Sequence, residues 1–136
     1  MAKDRFHNTV KVALEKQGWQ ITADPYELNV DDVDFEVDLA AEQLIAATRE
    51  NKKIAVEIKS FISSSYVSDF HTALGQFLNY RDALEIVEPD RVLYLAVRLP
   101  VYERFFQRRF ILAAIQRYRL RLVIDDVDNE VIVQWL

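Results

Sequence analysis

The stretch IAVEIKSF, residues 54–61, limits what this chain can fold into more than any other part of it. Side chains alternate across a strand, so Ile54, Val56 and Ile58 share one face and Ala55, Glu57 and Lys59 the other. Strands this apolar lie inside a sheet covered on both sides. An unpaired charge there is costly and is excluded, neutralised or given a partner. Glu57 and Lys59 therefore need a reason. A cross-strand ion pair would be the structural one, although burying such a pair seldom stabilises a fold.

The 136 residues are 51% hydrophobic and 12% aromatic, ample for one packed core and read as a single domain over 1–136. No apolar run approaches the roughly 20 residues of a membrane span. The start, MAKDRFHNTVKVALEK, has the pattern of a charged helix rather than a signal peptide, so a cytoplasmic protein without membrane contact is expected. The absence of cysteine removes disulfides, thiol nucleophiles and thiolate zinc sites, and two histidines, His7 and His71, leave little for a histidine-based centre. Any metal would sit among oxygens. A net charge of −5 argues against nonspecific coating of nucleic acid, but the charge is polarised. Residues 24–38 hold seven acids and no base, whereas 98–121 hold seven arginines against one acid, Glu103.

Phe6, Val10, Ala13 and Leu14 recur at helical spacing, which predicts a first helix over about 3–17 with Gly18 as its C-terminal cap. WQITADP reads as a strand, followed by an acidic loop and a second apolar segment near FEVDLA. AAEQLIAATRENKK fits either a helix or one arm of a hairpin ending in KIAVEI. A second helix runs from near Ser68 to before Pro89 on the stripe Phe70, Ala73, Leu74, Phe77 and Leu84. RVLYLAV is a buried strand, Pro100 opens an arginine-rich helix of about 100–118, and two strands close the chain around an Asp/Asn turn. The order α, β, β, β, α, β, α, β, β predicts an α/β fold with a mixed sheet.

Glu57 and Lys59 acquire a chemical meaning if a second acid lies beside them. Asp38 is the favoured candidate and Glu42 the alternative. Two carboxylates can hold Mg²⁺ or Mn²⁺, with the remaining contacts left to water and substrate phosphate. Lys59 would then orient or activate the attacking water, or stabilise charge on the attacked phosphate. A regular hairpin turning at 50–53 would oppose this, because it leaves Asp38 eight residues from the partner of Glu57, about 26 Å along a strand. Gln76 and Tyr80, one helical turn apart in GQFLNY, stand on one face of the second helix. The ordinary readings are a surface amide and a core ring. Arg104, Arg108 and Arg109 suit DNA phosphates, a solvated face or an acidic partner equally. Phe105, Phe106 and Phe110 read as core, with an interface as the alternative.

Asp, then about twenty residues, then Glu-x-Lys resembles the loose signature of the PD-(D/E)XK nucleases, and Gln-x-x-x-Tyr in the next helix is similar to the arrangement of RecB-type nucleases. The resemblance implies a restriction-endonuclease-like α-β-β-β-α-β core, followed here by a helix and a β-hairpin, with Gln76 and Tyr80 supporting the site. More closely, AKDRFHNTVKVALEKQGWQITADP, VDLAAEQLIAA, KIAVEIKSF, ALGQFLNY and DRVLYLAV resemble the XisH family, the fdxN element excision controlling factors of cyanobacteria. That resemblance implies a role in excising a DNA element and a functional partnership with an XisI-like protein. Two functions follow as expectations. One is a Mg²⁺-dependent DNA endonuclease with Asp38, Glu57, Lys59, Gln76 and Tyr80 at its site. The other is a non-catalytic accessory acting through the XisI-like partner. A homodimer would suit a DNA-end or junction enzyme.

Overall fold

A computed structural model describes residues 2–45 and 50–136, with side chains from Arg5 onward in the first segment. Its centre is strand β5 (Glu50–Lys59), which pairs antiparallel with β4 (Leu39–Ile45) and parallel with β6 (Arg91–Arg98). β6 in turn pairs parallel with β7 (Leu122–Asp126). With β1 (Gln20–Ala23) and β8 (Val131–Trp135) at the edges, the described residues form a six-stranded mixed sheet, ordered β1-β4-β5-β6-β7-β8.

Helices cover both faces. On one, Val10, Ala13 and Leu14 of α1 (Ala2–Lys16) pack with Ile54 and Val56. On the other, Phe70, Ala73 and Phe77 of α2 (Tyr66–Val87) share a core with Ala55, Leu93 and Leu95. That face is completed by α3 (Leu99–Arg104), a 3₁₀ turn (Phe105–Gln107) and α4 (Arg109–Tyr118). The two-sided burial expected of IAVEIKSF is therefore present, and Glu57 lies in it, 5% exposed. No described helix is long and apolar enough to cross a membrane.

Gly18 ends α1 as its position suggested. It takes φ 88°, its N–H meets the Glu15 carbonyl at 3.0 Å and that of Trp19 meets Leu14 at 3.1 Å, the paired bonds of a Schellman cap. Gly75 has no comparable duty, since a Cβ there would meet nothing within 4 Å.

Three expectations need correction. The acidic stretch is not a loop: β2 (Tyr26–Val30) and β3 (Val33–Val37) form a separate hairpin against α2. Leu28 and Val37 enter the core, with Tyr26, Val30 and Phe35 packed against it, while Glu27, Asp34 and Glu36 point to solvent. That is a period-two pattern concealed by the density of acids. The segment near FEVDLA is not one strand, because the chain breaks at Asp38 between β3 and β4. The arginine-rich helix is also broken. Phe105 and Phe106 are both buried in a 3₁₀ turn, and the extended Arg108 (ψ 138°) separates that turn from the helix that follows. The choice left open for AAEQLIAATRENKK resolves as strand on both sides of 46–49, the turn itself lying outside the described residues.

At the N-terminal end of β6, Arg91 is 7% exposed yet fully engaged. Its guanidinium donates to the Ile54 carbonyl at 2.9 Å, to Ala41 at 3.3 Å, to both Glu88 oxygens at 2.8 and 3.0 Å and to Glu42 at 3.2 Å. The Tyr26 hydroxyl also donates to Glu88, and the Tyr26 ring lies 5.0 Å from the guanidinium. One side chain thus ties β4, β5, β6, the hairpin and the end of α2. Arg91→Ala is expected to cost about 3 kcal/mol in denaturant unfolding, with Arg91→Lys recovering only part because an ammonium cannot reproduce the fork. A cost below about 1 kcal/mol would refute this role.

Candidate active site

The β4–β5 register decides where the acids meet. Leu39 lies opposite Val56, Ala40 opposite Ala55 and Glu42 opposite Lys53. Asp38, one residue before β4, therefore falls beside Glu57. The distance that opposed this pairing disappears because Ile45 lies opposite Glu50, so the strands do not reverse at 50–53. Moving a hairpin turn back by about four residues shifts every cross-strand partner by about eight. The same register removes Glu42, whose carboxylate is bound to Arg91 at 3.2 Å and to Asn51 at 3.2 Å.

Two backbone bonds fix the pair. The Asp38 N–H donates to Glu57 Oε1 at 3.2 Å, and Asp38 Oδ2 accepts from the Ile58 N–H at 2.7 Å. Lys59 Nζ stands 3.7 Å from Glu57 Oε2, with its side chain 22% exposed. Burial is the largest influence on Glu57 and the Asp38 charge the next. Lys59 and the Asp38 N–H oppose them, but the Glu57 carboxyl is pushed up to about 8. The lysine alone does not compensate this pair of carboxylates.

The chain leaves β5 through a constrained turn. Phe61 takes φ 51°, a conformation rare for a bulky side chain. Its buried ring is held by Phe106 at 5.5 Å, Tyr66 at 5.8 Å and Phe105 at 6.0 Å. Arg98 donates to the Ser60 carbonyl at 2.8 Å and the Phe61 carbonyl at 3.1 Å. Backbone strain retained by surrounding contacts is a feature of functional sites, and here it falls two residues after Lys59.

α2 forms the opposite wall. Tyr80 is buried, edge-on to Phe35 at 5.9 Å, and its phenol is pushed up by burial and then by the charges of Glu57, Asp38 and Glu36, so it remains a hydrogen donor. Gln76 Oε1 is buried without a hydrogen-bond partner. Asp38, Glu57 and Lys59 thus lie together on β5 and its approach, with Tyr80 of α2 near enough to feel the charges of the two acids, and Gln76 stands one turn before Tyr80 on the same helix. Beside them a hollow of about 290 Å³ is lined by Asp38, Lys59, Ser63, Asp69 and Thr72, with His7 at its margin. His7 bonds Asp24 at 2.8 Å. Asp69 carried no expectation, and its only sequence signal is its place seven residues before Gln76.

The arginine-rich segment divides differently. Phe105 and Phe106 are core, as expected, but Phe110 is 75% exposed, and Arg104, Arg108 and Arg109 lie on the surface.

The donor set suits a hard cation. Its atoms are carboxylate oxygens, burial and the Asp38 charge disfavour the ionised form of Glu57, and an orphaned carbonyl oxygen stands on α2. Among the described residues no three His, Asp or Glu side chains come together as a group that could hold a metal ion. Mg²⁺ is ordinarily held by only one or two carboxylates and keeps several waters.

No curated protein matches the chain. A crystal structure of an XisH family protein from Nostoc punctiforme PCC 73102 is 51% identical, with a TM-score of 0.91 over 98% of this chain and 99% of that one. The structure of a fdxN element excision controlling factor protein from Anabaena variabilis is 52% identical, with a TM-score of 0.88 over 97% and 98% of the two chains. The model of the XisH protein family matches residues 1–133, and the chain belongs to that family.

Proposed function

We propose that this protein is a divalent-cation-dependent DNA phosphodiesterase, an endonuclease serving excision of a DNA element, on a restriction-endonuclease-like core of the PD-(D/E)XK kind. The observation that carries this reading is the convergence of Asp38, Glu57 and Lys59, imposed by strand register rather than by sequence proximity. The order α1, antiparallel strands, α2, then β6 parallel to β5 supports the core assignment. The relative described as a fdxN element excision controlling factor supports the biological setting.

Asp38 and Glu57 would hold Mg²⁺ or Mn²⁺, which supplies Lewis acidity toward a phosphate oxygen and lowers the pKa of bound water. Lys59, a few ångströms from Glu57, stabilises charge developing on the attacked phosphate and orients the water. Tyr80, kept protonated, donates a hydrogen bond into the site. Gln76 offers its buried amide from the same face of α2.

A second reading is favoured by one surface. Between α2 and α4 lies a groove of about 370 Å³, floored by Phe70, Leu74 and Ile111, with Phe110 at its edge and Arg108 and Arg117 beside it. Aromatic and arginine side chains together are typical of binding hot spots, and the positive rim suits an acidic partner. In this reading the protein is an accessory that engages an XisI-like protein through the groove.

Three outcomes test these readings. Cleavage of supercoiled DNA with Mg²⁺ or Mn²⁺ is expected to fall at least about 100-fold in Lys59→Ala with the fold intact; full activity in that variant rejects the assignment. In the metal-free protein, Glu57 holds in the folded state a proton that the unfolded chain releases near pH 4.3. Folding stability should therefore decline by a few kcal/mol as pH rises from about 4 to 8. Glu57→Gln should flatten the decline, and Mn²⁺ should restore wild-type stability at pH 8 but not that of the variant. A flat wild-type profile contradicts the burial of this acid. Finally, Phe110→Asp should weaken an XisI-like complex by about 30-fold or more while leaving the Mn²⁺ response unchanged; unaltered binding removes the groove from consideration.

A further inference from the structure

We propose that Asp69 is a positioning residue of this site, its carboxylate receiving hydrogen bonds from the water shell of a divalent cation held at Asp38 and Glu57. The inference rests on the cation-dependent reading above.

Asp69 lies in the first turn of α2 and lines the same hollow as Asp38 and Lys59. Its Oδ2 is buried without a hydrogen-bond partner. Among the described residues the other buried side-chain oxygen in this condition is Gln76 Oε1. The two lie seven residues apart on one helix, about two turns, hence on the same face. Native proteins rarely leave such atoms unpaired unless a water, an ion or a ligand completes them.

An aspartate near a helix start has a simpler explanation, attraction to the positive end of the dipole. It does not account for this one. The cap is already filled by Ser65, whose Oγ accepts from the Ser68 N–H at 3.1 Å. A carboxylate serving only the dipole has no need to hide an oxygen from water.

The chemistry of the orphaned atoms defines what completes them. An ionised carboxylate only accepts hydrogen bonds. Its missing neighbour must be a hydrogen-bond donor or a cation, which excludes a bare phosphate oxygen; among the described residues Asp69 does not join Asp38 and Glu57 in a group of three that could hold a metal ion, which leaves a water or hydroxyl. The carboxylate fixes this polarity whichever way the Gln76 amide is turned. A cation such as Mg²⁺ that retains its waters presents donors on its outer side, and such outer contacts typically change metal affinity by 10- to 100-fold.

Mn²⁺ binding by the full chain, followed by titration calorimetry near pH 8, tests the proposal in wild type, Glu57→Gln, Asp69→Asn and Asp69→Ser, with thermal unfolding of each metal-free protein alongside. Binding is expected in wild type, lost in Glu57→Gln and weakened about 10-fold or more in both Asp69 variants, whose metal-free melting temperatures do not fall. Wild-type affinity in Asp69→Asn or Asp69→Ser, with Glu57→Gln still defective, overturns the role of Asp69 alone. A drop in metal-free melting temperature with affinity unchanged overturns it in favour of a helix-dipole role. Absence of Mn²⁺ binding in wild type overturns both this proposal and the reading on which it rests.

Discussion

The pairing of β4 with β5 is the constraint on which the rest depends. β5 is covered on both faces, so its register is set by which residues are buried, and a slip of one residue would turn Ile54 and Val56 away from α1. Given that register, Asp38 has no choice of neighbour. Its carboxylate meets the Ile58 amide and its own amide meets Glu57, so the geometry of the site follows from packing several residues away. The hydrophobic core and the acidic pair are consequences of one alignment.

That alignment places two carboxylates where one ammonium does not balance them. Burial disfavours the ionised form of Glu57, and the nearby Asp38 charge adds to the effect. A protein selected for stability alone would have an apolar residue here, since well-packed hydrophobic groups usually match or exceed buried ions. The strained Phe61, clamped by an aromatic cluster and by Arg98, points the same way. Both are local costs borne by a well-packed surrounding, as expected of a site rather than of a structural ion pair.

The sequence revealed the strand at 54–61 and the helices with clear periodicity, because apolar spacing reports burial directly. Gly18 was legible for the same kind of reason, a helix end that needs a left-handed residue. The five residues expected at the site were legible as residue types, but the distance between Asp38 and Glu57 was not. It turns on where a short hairpin reverses, and Gln43 to Lys53 contains no Asn-Gly or similar dipeptide to mark that point. The β2–β3 hairpin was hidden because acid content speaks louder than alternation when every second residue is charged or polar. The break after Arg104 was hidden because no Gly or Pro marks it between Pro100 and Tyr118. Asp69 was invisible for a different reason: a lone acid near a helix start is ordinary until its oxygen is found without a partner.

The two ends of the central sheet show how burial alone cannot decide between structure and chemistry. At one end Glu88 is half-buried beside Arg91, and the hydrogen bonds from Arg91, aided by Tyr26, hold its carboxyl down at about 2 despite desolvation. At the other end Glu57 receives one backbone N–H and a loose lysine contact and is pushed up to about 8. Both acids belong to the same framework and neither is freely solvated. The difference is the number of donors. The Arg91 network is closed, its donors matched to carboxylates and carbonyls on every adjoining strand, and nothing further is needed to complete it. The Glu57 group is open: it has more carboxylates than donors, and a hollow lined by Asp38, Lys59 and Asp69 lies alongside. An open set of acceptors is the form a cation-binding site takes before the cation arrives, and this contrast is the physical ground for proposing the site at Glu57 rather than at Arg91.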